Sequence, residues 1–185
     1  LFISNGPGDP AYCDITVNNI RKAMQTDKPI FGICMGNQLL SIAGGAKTYK
    51  LKYGHRSHNQ PVQLCGTQRA FITTQNHGFA VDNNTLSAEW EPLFINMNDG
   101  TNEGIRHKTK PWFSAQFHPE AASGPTDTEF LFDVFIKTLA VTNKSIPQLV
   151  EEEMDARLVR KQEYQGAEKG TIKKVLVLGS GALKI

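Results

Sequence analysis

The most constraining stretch of the chain is Pro29-Ile30-Phe31-Gly32-Ile33-Cys34-Met35-Gly36-Asn37-Gln38. Its apolar run reads as a strand covered on both faces. Behind it, residues 36 to about 46 read as a helix. Glycine stands two residues to either side of Cys34, so the strand passes into the helix through a tight turn that throws the intervening side chain outward. A strand, a sharp turn and a helix in direct succession call for an α/β architecture. The helix also presents its N-terminus to the sulfur, which favours thiolate over thiol. A free cysteine is ordinarily a small buried hydrophobe. The flanking glycines at this junction make Cys34 a candidate nucleophile instead.

The surrounding pattern agrees. Residues 1–140 alternate short apolar runs with helical spacings, as open α/β sheets do. Residues 1–4 read as a strand already under way with no initiator methionine, and the chain accordingly reads as a fragment. Asn5-Gly6-Pro7-Gly8-Asp9-Pro10 is a loop, and Asp14 stands where it would cap a helix with Val17, Ile20 and Met24 on one face. Residues 47–117 read as β-rich, with strands clearest at 71–75, 93–97 and 112–117. Thr126-x-x-Glu129 has capping-box form ahead of Phe130, Leu131, Val134, Phe135 and Leu139 at helical spacing. Ten of the twenty residues 151–170 are charged, against 21% overall, which reads as a solvated helix or linker rather than core. Lys174-Val175-Leu176-Val177-Leu178-Gly179-Ser180-Gly181 then opens a new strand and glycine turn. The expected division is a domain over residues 1–140, a charged linker over 141–172 and the start of a second α/β domain over 173–185.

With 185 residues the chain is long enough for a substantial core. Twenty Lys+Arg against eighteen Asp+Glu leaves +2, which offers neither a basic sleeve for nucleic acid nor a polybasic membrane anchor. No apolar run approaches the roughly 18–20 residues of a membrane span. Three cysteines without a CxxC pair argue against a disulfide framework and for a reducing compartment.

A nucleophilic cysteine needs a base, and Gln116-Phe117-His118-Pro119-Glu120 offers one at a strand end. A strand-end histidine alone is commonly a surface residue; His118 gains weight from its pairing with Cys34. Alternation puts His118 and Glu120 on one side, so Glu120 can orient the imidazole through its other nitrogen. His77, within Gln75-Asn76-His77-Gly78-Phe79, sits in a turn whose backbone N–H groups at Gly78 suit a carboxylate. His55, His58 and Cys65 match no standard zinc spacing. His107 reads as a solvated loop residue, and Cys13 and Cys65 as structural. Gly179-Ser180-Gly181 starts like a dinucleotide fingerprint, but Lys184 stands where its third glycine belongs.

Taken in order, Ser4-Asn5-Gly6-Pro7-Gly8-Asp9-Pro10, Gly32-Ile33-Cys34-Met35-Gly36-Asn37-Gln38, Gln75-Asn76-His77-Gly78-Phe79-Ala80-Val81-Asp82 and Phe117-His118-Pro119-Glu120 closely resemble class I (triad) glutamine amidotransferase domains. Within that family the third segment, with Gly45-Ala46-Lys47-Thr48 and Gly124-Pro125-x-Asp127, resembles the glutaminase part of carbamoyl-phosphate synthetases. The resemblance covers about residues 1–140, and residues 174–183 resemble the start of the synthetase region, as in fused multifunctional forms.

The resemblance implies an α/β fold with an open, mostly parallel sheet flanked by helices, and with a small N-terminal domain and the first strands of the sheet upstream. It implies that Cys34 attacks the side-chain amide of glutamine, that His118 moves the protons and that Glu120 orients His118. Backbone N–H groups of Gly6 and Met35 would face the oxyanion, and Gly8, Gln38, Asn76, Gly78 and Phe79 would hold the substrate. No cofactor or metal is implied in this chain; ATP and Mg2+ belong to the synthetase part, the implied partner reached through an ammonia passage. An oligomer would form through the parent chain. The compartment implied is cytoplasmic, with mitochondrial as the alternative, and the pathway is pyrimidine or arginine synthesis. Asn37 departs from the family, which usually has His there. That leaves open a catalytically degenerate scaffold for an ammonia-dependent synthetase; a glutaminase of anthranilate or GMP synthesis is the other alternative.

Overall fold

Two short apolar strands form the centre of the molecule. A computed structural model describes residues 1–140 and 144–162, with side chains as far as residue 157. In it β2 (Ile30–Ile33) and β7 (Trp112–Ala115) are buried at every residue. They run parallel, Ile30 opposite Trp112 and Ile33 opposite Ala115. Burial on both faces is why each reads as an apolar run rather than an alternation. β1 (Phe2–Ile3) pairs in parallel with the outer edge of β2. Beyond β7 lie β6 (Asn102–His107), β5 (Trp90–Asn96), β3 (Thr48–Leu64) and β4 (Ala70–Val81), giving the order β1-β2-β7-β6-β5-β3-β4.

The open α/β sheet expected from the sequence is present, with its parallel part confined to β1, β2 and β7. The other four pairings are antiparallel, so the sheet is mixed. The reason is connection length. Short turns join β3 to β4, β5 to β6 and β6 to β7, and a short turn returns the chain antiparallel, whereas β1 reaches β2 through a helix.

α1 (Asp14–Met24) and α2 (Met35–Ala43) cover one face, where Val17, Ile20, Leu39 and Leu40 meet Ile30, Ile105 and Trp112. α3 (Leu131–Leu139) and α4 (Ile146–Gln162) cover the other, where Leu131, Val134, Leu149 and Val150 meet Phe31, Phe94 and Phe113. Alternation along β2 sends Ile30 to the first core and Phe31 to the second. Phe31 stacks on its register partner Phe113 with ring centroids 4.4 Å apart.

Several expectations need correction, among them the turn expected at His77, which lies within β4. Asp14 does not cap α1: it is the first helical residue, Cys13 holds the cap position, and Asp9 caps the preceding short turn by accepting from the Ala11 N–H at 2.9 Å. Thr126 and Glu129 form no capping box; they lie in a turn before α3, whose cap position is Phe130. His107 is a buried strand end rather than a solvated loop residue. Its ring packs edge-on against Trp90 and Trp112 at 5.1 and 5.0 Å, and its Nδ1 accepts from the N–H groups of Thr109 and Lys110.

Within the stretch expected as a charged linker, residues Ile146–Gln162 form a helix, in keeping with the solvated-helix reading of its charged part, but its upstream end is docked. In α4 Ile146, Leu149 and Val150 are buried, and Glu153, also buried, pairs with Lys137 Nζ of α3 at 2.5 Å. Arg157 and Asp155 reach Asp133 and Arg69 at 3.3 and 2.9 Å. The strand and glycine turn expected from residue 174 onward lie outside the described residues.

Docking of α4 predicts a cost for truncating it. Leu149→Ala is expected to lower stability by about 2–4 kcal/mol, the range for emptying a buried leucine site. Urea unfolding at unchanged m-value measures this; a change within about 0.5 kcal/mol would mean a solvated linker.

Candidate active site

Parallel pairing of β2 and β7 sets their C-terminal ends side by side, the edge at which open α/β sheets bind ligands. Cys34 directly follows β2 and its N–H donates to the Ala115 carbonyl at 2.8 Å. His118 follows three residues after β7, and its N–H donates to the Thr74 carbonyl of β4 at 2.9 Å. Two segments 84 positions apart in sequence thus meet at one sheet edge.

The turn at Cys34 is the elbow expected from the glycines. Its φ of 53° lies in the left-handed region, which costs a non-glycine residue on the order of 1–3 kcal/mol. The two glycines permit the close approach that holds it. A Cβ on Gly36 would run into the Ile3 carbonyl, and one on Gly32 would come within 2.6 Å of the Gly36 carbonyl oxygen. α2 begins at Met35, so its positive end lies next to the sulfur.

His118 and Cys34 line the same cleft, and His118 Nδ1 lies 2.7 Å from Glu120 Oε1, which leaves Nε2 free to face the sulfur. Cys34 first, and Glu120 second, raise the His118 imidazole from 6.5 to about 10. Partial burial works to raise the Glu120 carboxyl, but its hydrogen bond to His118 prevails and holds it below the usual carboxylate range. Cys34 and His118 thus share one cleft, with Glu120 paired to the imidazole.

The sulfur opens on a cleft of about 630 Å³. Gly6, Gly8, Met35, Gln38, Asn76, Gly78 and Phe79, all singled out in the sequence, line it together with Cys34 and His118. Glu120 stands behind His118, outside that lining. Lys50 and Arg56 also line the cleft and were missed by the sequence reading. They arrive through register: on β3, Arg56 stands opposite Asn76 and Lys50 opposite Phe79. Nothing in a basic stretch of sequence marks which of its charges a hairpin will turn inward.

Also missed was Gln116. Helix α2 is almost wholly buried, so its polar side chains require partners. Asn37 Nδ2 donates to Gln116 Oε1 at 2.8 Å, Gln38 Nε2 donates to the same oxygen at 3.2 Å, and Ser114 Oγ donates to Asn37 Oδ1 at 2.7 Å. Gln38 Nε2 also donates to the Phe79 carbonyl at 3.1 Å. Asn37 therefore faces the sheet rather than the cleft. The three residues His55, His58 and Cys65 form no cluster among the described residues; the histidine and carboxylate group that does assemble is His55, His77 and Glu103.

A family model, glutamine amidotransferase class-I, matches residues 1–138. The chain belongs to this family. Among similar proteins, the multifunctional protein pyrABCN of Emericella nidulans is 50% identical over 186 residues, covering 100% of the chain and 8% of that protein. Multifunctional protein CAD of Squalus acanthias is 50% identical over 195 residues, covering 100% of the chain and 9% of that protein. The arginine-specific small chain of carbamoyl phosphate synthase of Candida albicans is 58% identical over 147 residues, 78% of the chain and 34% of the small chain. The chain thus spans about a third or less of the length of these relatives. Of solved structures, a protein assigned as a GMP synthase subunit, from Thermoplasma acidophilum, superposes with a TM-score of 0.60 at 21% identity, over 87% of this chain and 75% of that one. A glutamine amidotransferase of Thermotoga maritima gives 0.56 at 19% identity, over 87% and 73%. These two likenesses establish the amidotransferase fold.

The raised His118 gives this amidotransferase domain a pH signature. A group whose folded pKa lies above its unfolded value near 6.5 stabilises fully below that value, and the contribution is lost as pH rises through about 10. Glu120→Gln is therefore expected to destabilise most between about pH 5 and 6.5, less at about pH 8, and negligibly above about pH 10. Urea unfolding of both proteins at these pH values checks the trend; a constant difference would mean that Glu120 and His118 are not coupled.

Proposed function

We propose that this chain is the glutaminase part of a glutamine-hydrolysing carbamoyl-phosphate synthase. One observation carries the reading: a strained, glycine-flanked Cys34 shares a polar cleft with a His118–Glu120 pair. With His118 already holding the proton, the Cys34 sulfur attacks the side-chain amide carbon of glutamine. Backbone N–H groups of Gly6 and Met35 stabilise the tetrahedral oxyanion, the usual large electrostatic contribution in acyl transfer. His118 returns the proton to the departing nitrogen, and ammonia leaves a glutamyl thioester. Water, deprotonated by His118, then releases glutamate and regenerates the thiolate. Glu120 holds the imidazole in the required orientation throughout.

Gly8, Gln38, Asn76, Gly78 and Phe79 hold glutamine in this scheme, and the cationic Lys50 and Arg56 suit its carboxylate. Ammonia then passes to a synthetase part that consumes ATP with Mg2+. A fused parent chain is supported by the extent of similarity. The match to pyrABCN and to CAD runs through 100% of this chain, whereas the match to the small chain covers 78%. On this reading residues 1–140 are the amidotransferase domain and residues 173–185 open the synthetase. The cytoplasm is the proposed compartment.

A specific observation bears on the alternative of a degenerate scaffold. Asn37, the departure from the family's usual His, is fully buried behind the elbow with its amide engaged by Gln116 and Ser114. It touches none of Cys34, His118 and Glu120 through these bonds. Asn37→His is therefore expected to change glutaminase kcat/KM by less than about fivefold, within about 1 kcal/mol. A gain of several hundredfold from a near-inactive starting protein would support the scaffold.

The direct test uses amide-15N glutamine with the full-length protein, ATP, Mg2+ and bicarbonate. Label is expected in carbamoyl phosphate with wild type and absent with Cys34→Ser, while free ammonia supports both. No label in wild type, with ammonia fully active, would overturn the glutaminase reading.

A further inference from the structure

Behind the cleft lies a group of charged residues that the reaction above does not use. Glu103 on β6 is completely buried, and its Oε2 has no hydrogen-bond partner among the described residues. Its Oε1 is surrounded by donors: His55 Nδ1 at 3.1 Å, Asn96 Nδ2 at 3.3 Å and Thr101 Oγ1 at 3.4 Å. Burial pushes the carboxyl up, and these same three donors pull it back. The His55 imidazole, 3.1 Å from Oε1, is the partner that favours the carboxylate against that burial. One oxygen of an interior carboxylate left unpaired destabilises the fold, and such costs concentrate at functional sites.

His55 and His77 stand opposite each other on β3 and β4, with ring centroids 4.8 Å apart. The inner nitrogens of both rings and Glu103 Oε1 converge like the ligands of a cation. However, Gln75 Oε1 already fills the meeting point: it accepts from His55 Nδ1 at 2.8 Å, while neutral His77, its proton on Nδ1, lies against it without donating. An amide closes the cluster where a metal would sit. From there the contacts run outward to the cleft. His77 Nδ1 donates to the Phe79 carbonyl at 2.8 Å, the same oxygen that accepts from Gln38 of the elbow helix. Between His77 and Gln75, the Asn76 carbonyl lies 3.9 Å from the Cys34 sulfur.

We propose that Glu103 is a positioning residue for glutamine: by holding His55, which donates to Gln75 and packs edge-on against His77, it fixes the Asn76–Phe79 wall of the cleft against the elbow. The inference rests on the glutaminase reading above. The groups facing His55 are Glu103 from β6, Asp99 from the turn before it and His77 from β4. The two carboxylates hold His55 protonated up to about 9, Glu103 being the largest contributor. Burial, together with the positive charges of His55 and His118, keeps His77 neutral, lowered to about 4. The wall is therefore held while His55 is charged and released as pH rises through about 9.

Steady-state glutaminase kinetics of the full-length protein between about pH 6.5 and 10 provide the test. Glu103→Gln is expected to raise KM for glutamine about tenfold at neutral pH while kcat changes less than about threefold. The alkaline rise in KM should also move at least about one pH unit lower than in wild type. Glutamine's own amino group titrates in alkaline solution, so the difference between variants is diagnostic. Asp99→Asn, at an exposed rim where folding is safe, should move the rise in the same direction by less, and decides the matter if Glu103→Gln fails to fold. An unmoved alkaline rise in both variants, or losses confined to kcat, would overturn the positioning role. Wild type without glutamine turnover would instead overturn the glutaminase reading, which is a separate result.

Discussion

Everything in the site depends on the parallel pairing of β2 with β7. Each strand is four residues long and buried throughout, so their alignment is governed by packing on both faces at once. Phe31 on Phe113 fixes one face and Ile30 beside Trp112 the other. A slip of one residue would exchange the two cores, which is why the register tolerates no alternative. That register ends Cys34 and His118 at the same edge. The left-handed turn at Cys34 is maintained by the same packing, since Gly36 can approach β1 only while β1, β2 and α2 are stacked. The strain in the elbow is thus offset by the core rather than by local contacts.

The elbow was legible because its requirements are chemical and local: two glycines, a cysteine and an apolar run on one ten-residue segment. His118 and Glu120 were legible for a similar reason, since strand alternation puts residues i and i+2 on one side. Lys50, Arg56, Gln116 and Glu103 were not, because each enters the site by pairing between distant strands. His55 meets Glu103 across 48 positions and Gln116 meets Asn37 across 79. No local pattern encodes such a meeting. His107 was misread because charged neighbours suggest solvent, whereas Trp90 and Trp112 enclose the ring. Composition gave the charged part of α4 but not its docked end. A charge-rich window hid the spacing of Ile146, Leu149 and Val150, one apolar face just upstream of the charges.

The two faces of the elbow helix illustrate how a buried polar surface can serve a site without touching substrate. Gln116 Oε1 collects the amides of both Asn37 and Gln38, tying α2 to the strand that leads to His118. Substituting a neighbour in such a network shifts geometry through shared partners rather than by direct contact. Asn37 occupies the sheet-facing side of this network and Gln38 the cleft-facing side. A change of residue type at position 37 is therefore a question of packing and hydrogen-bond count. It removes none of Cys34, His118 and Glu120.

The charge pattern around the cleft follows from one requirement. His118 must keep a proton beside the Cys34 sulfur, and any further positive charge nearby works against it. Lys50, Arg56 and protonated His55 already crowd the region with cations. A protonated His77 on the cleft wall would add another, and the charge of His118 already works to lower His77. Burial of His77 prevents this: its side chain is almost completely enclosed, and a neutral ring suffices to donate to the Phe79 carbonyl. The carboxylate of Glu103 serves the same end from the other side. By pairing with His55 it offsets the charge of the ring that packs against His77, so the wall built from histidines carries little surplus charge.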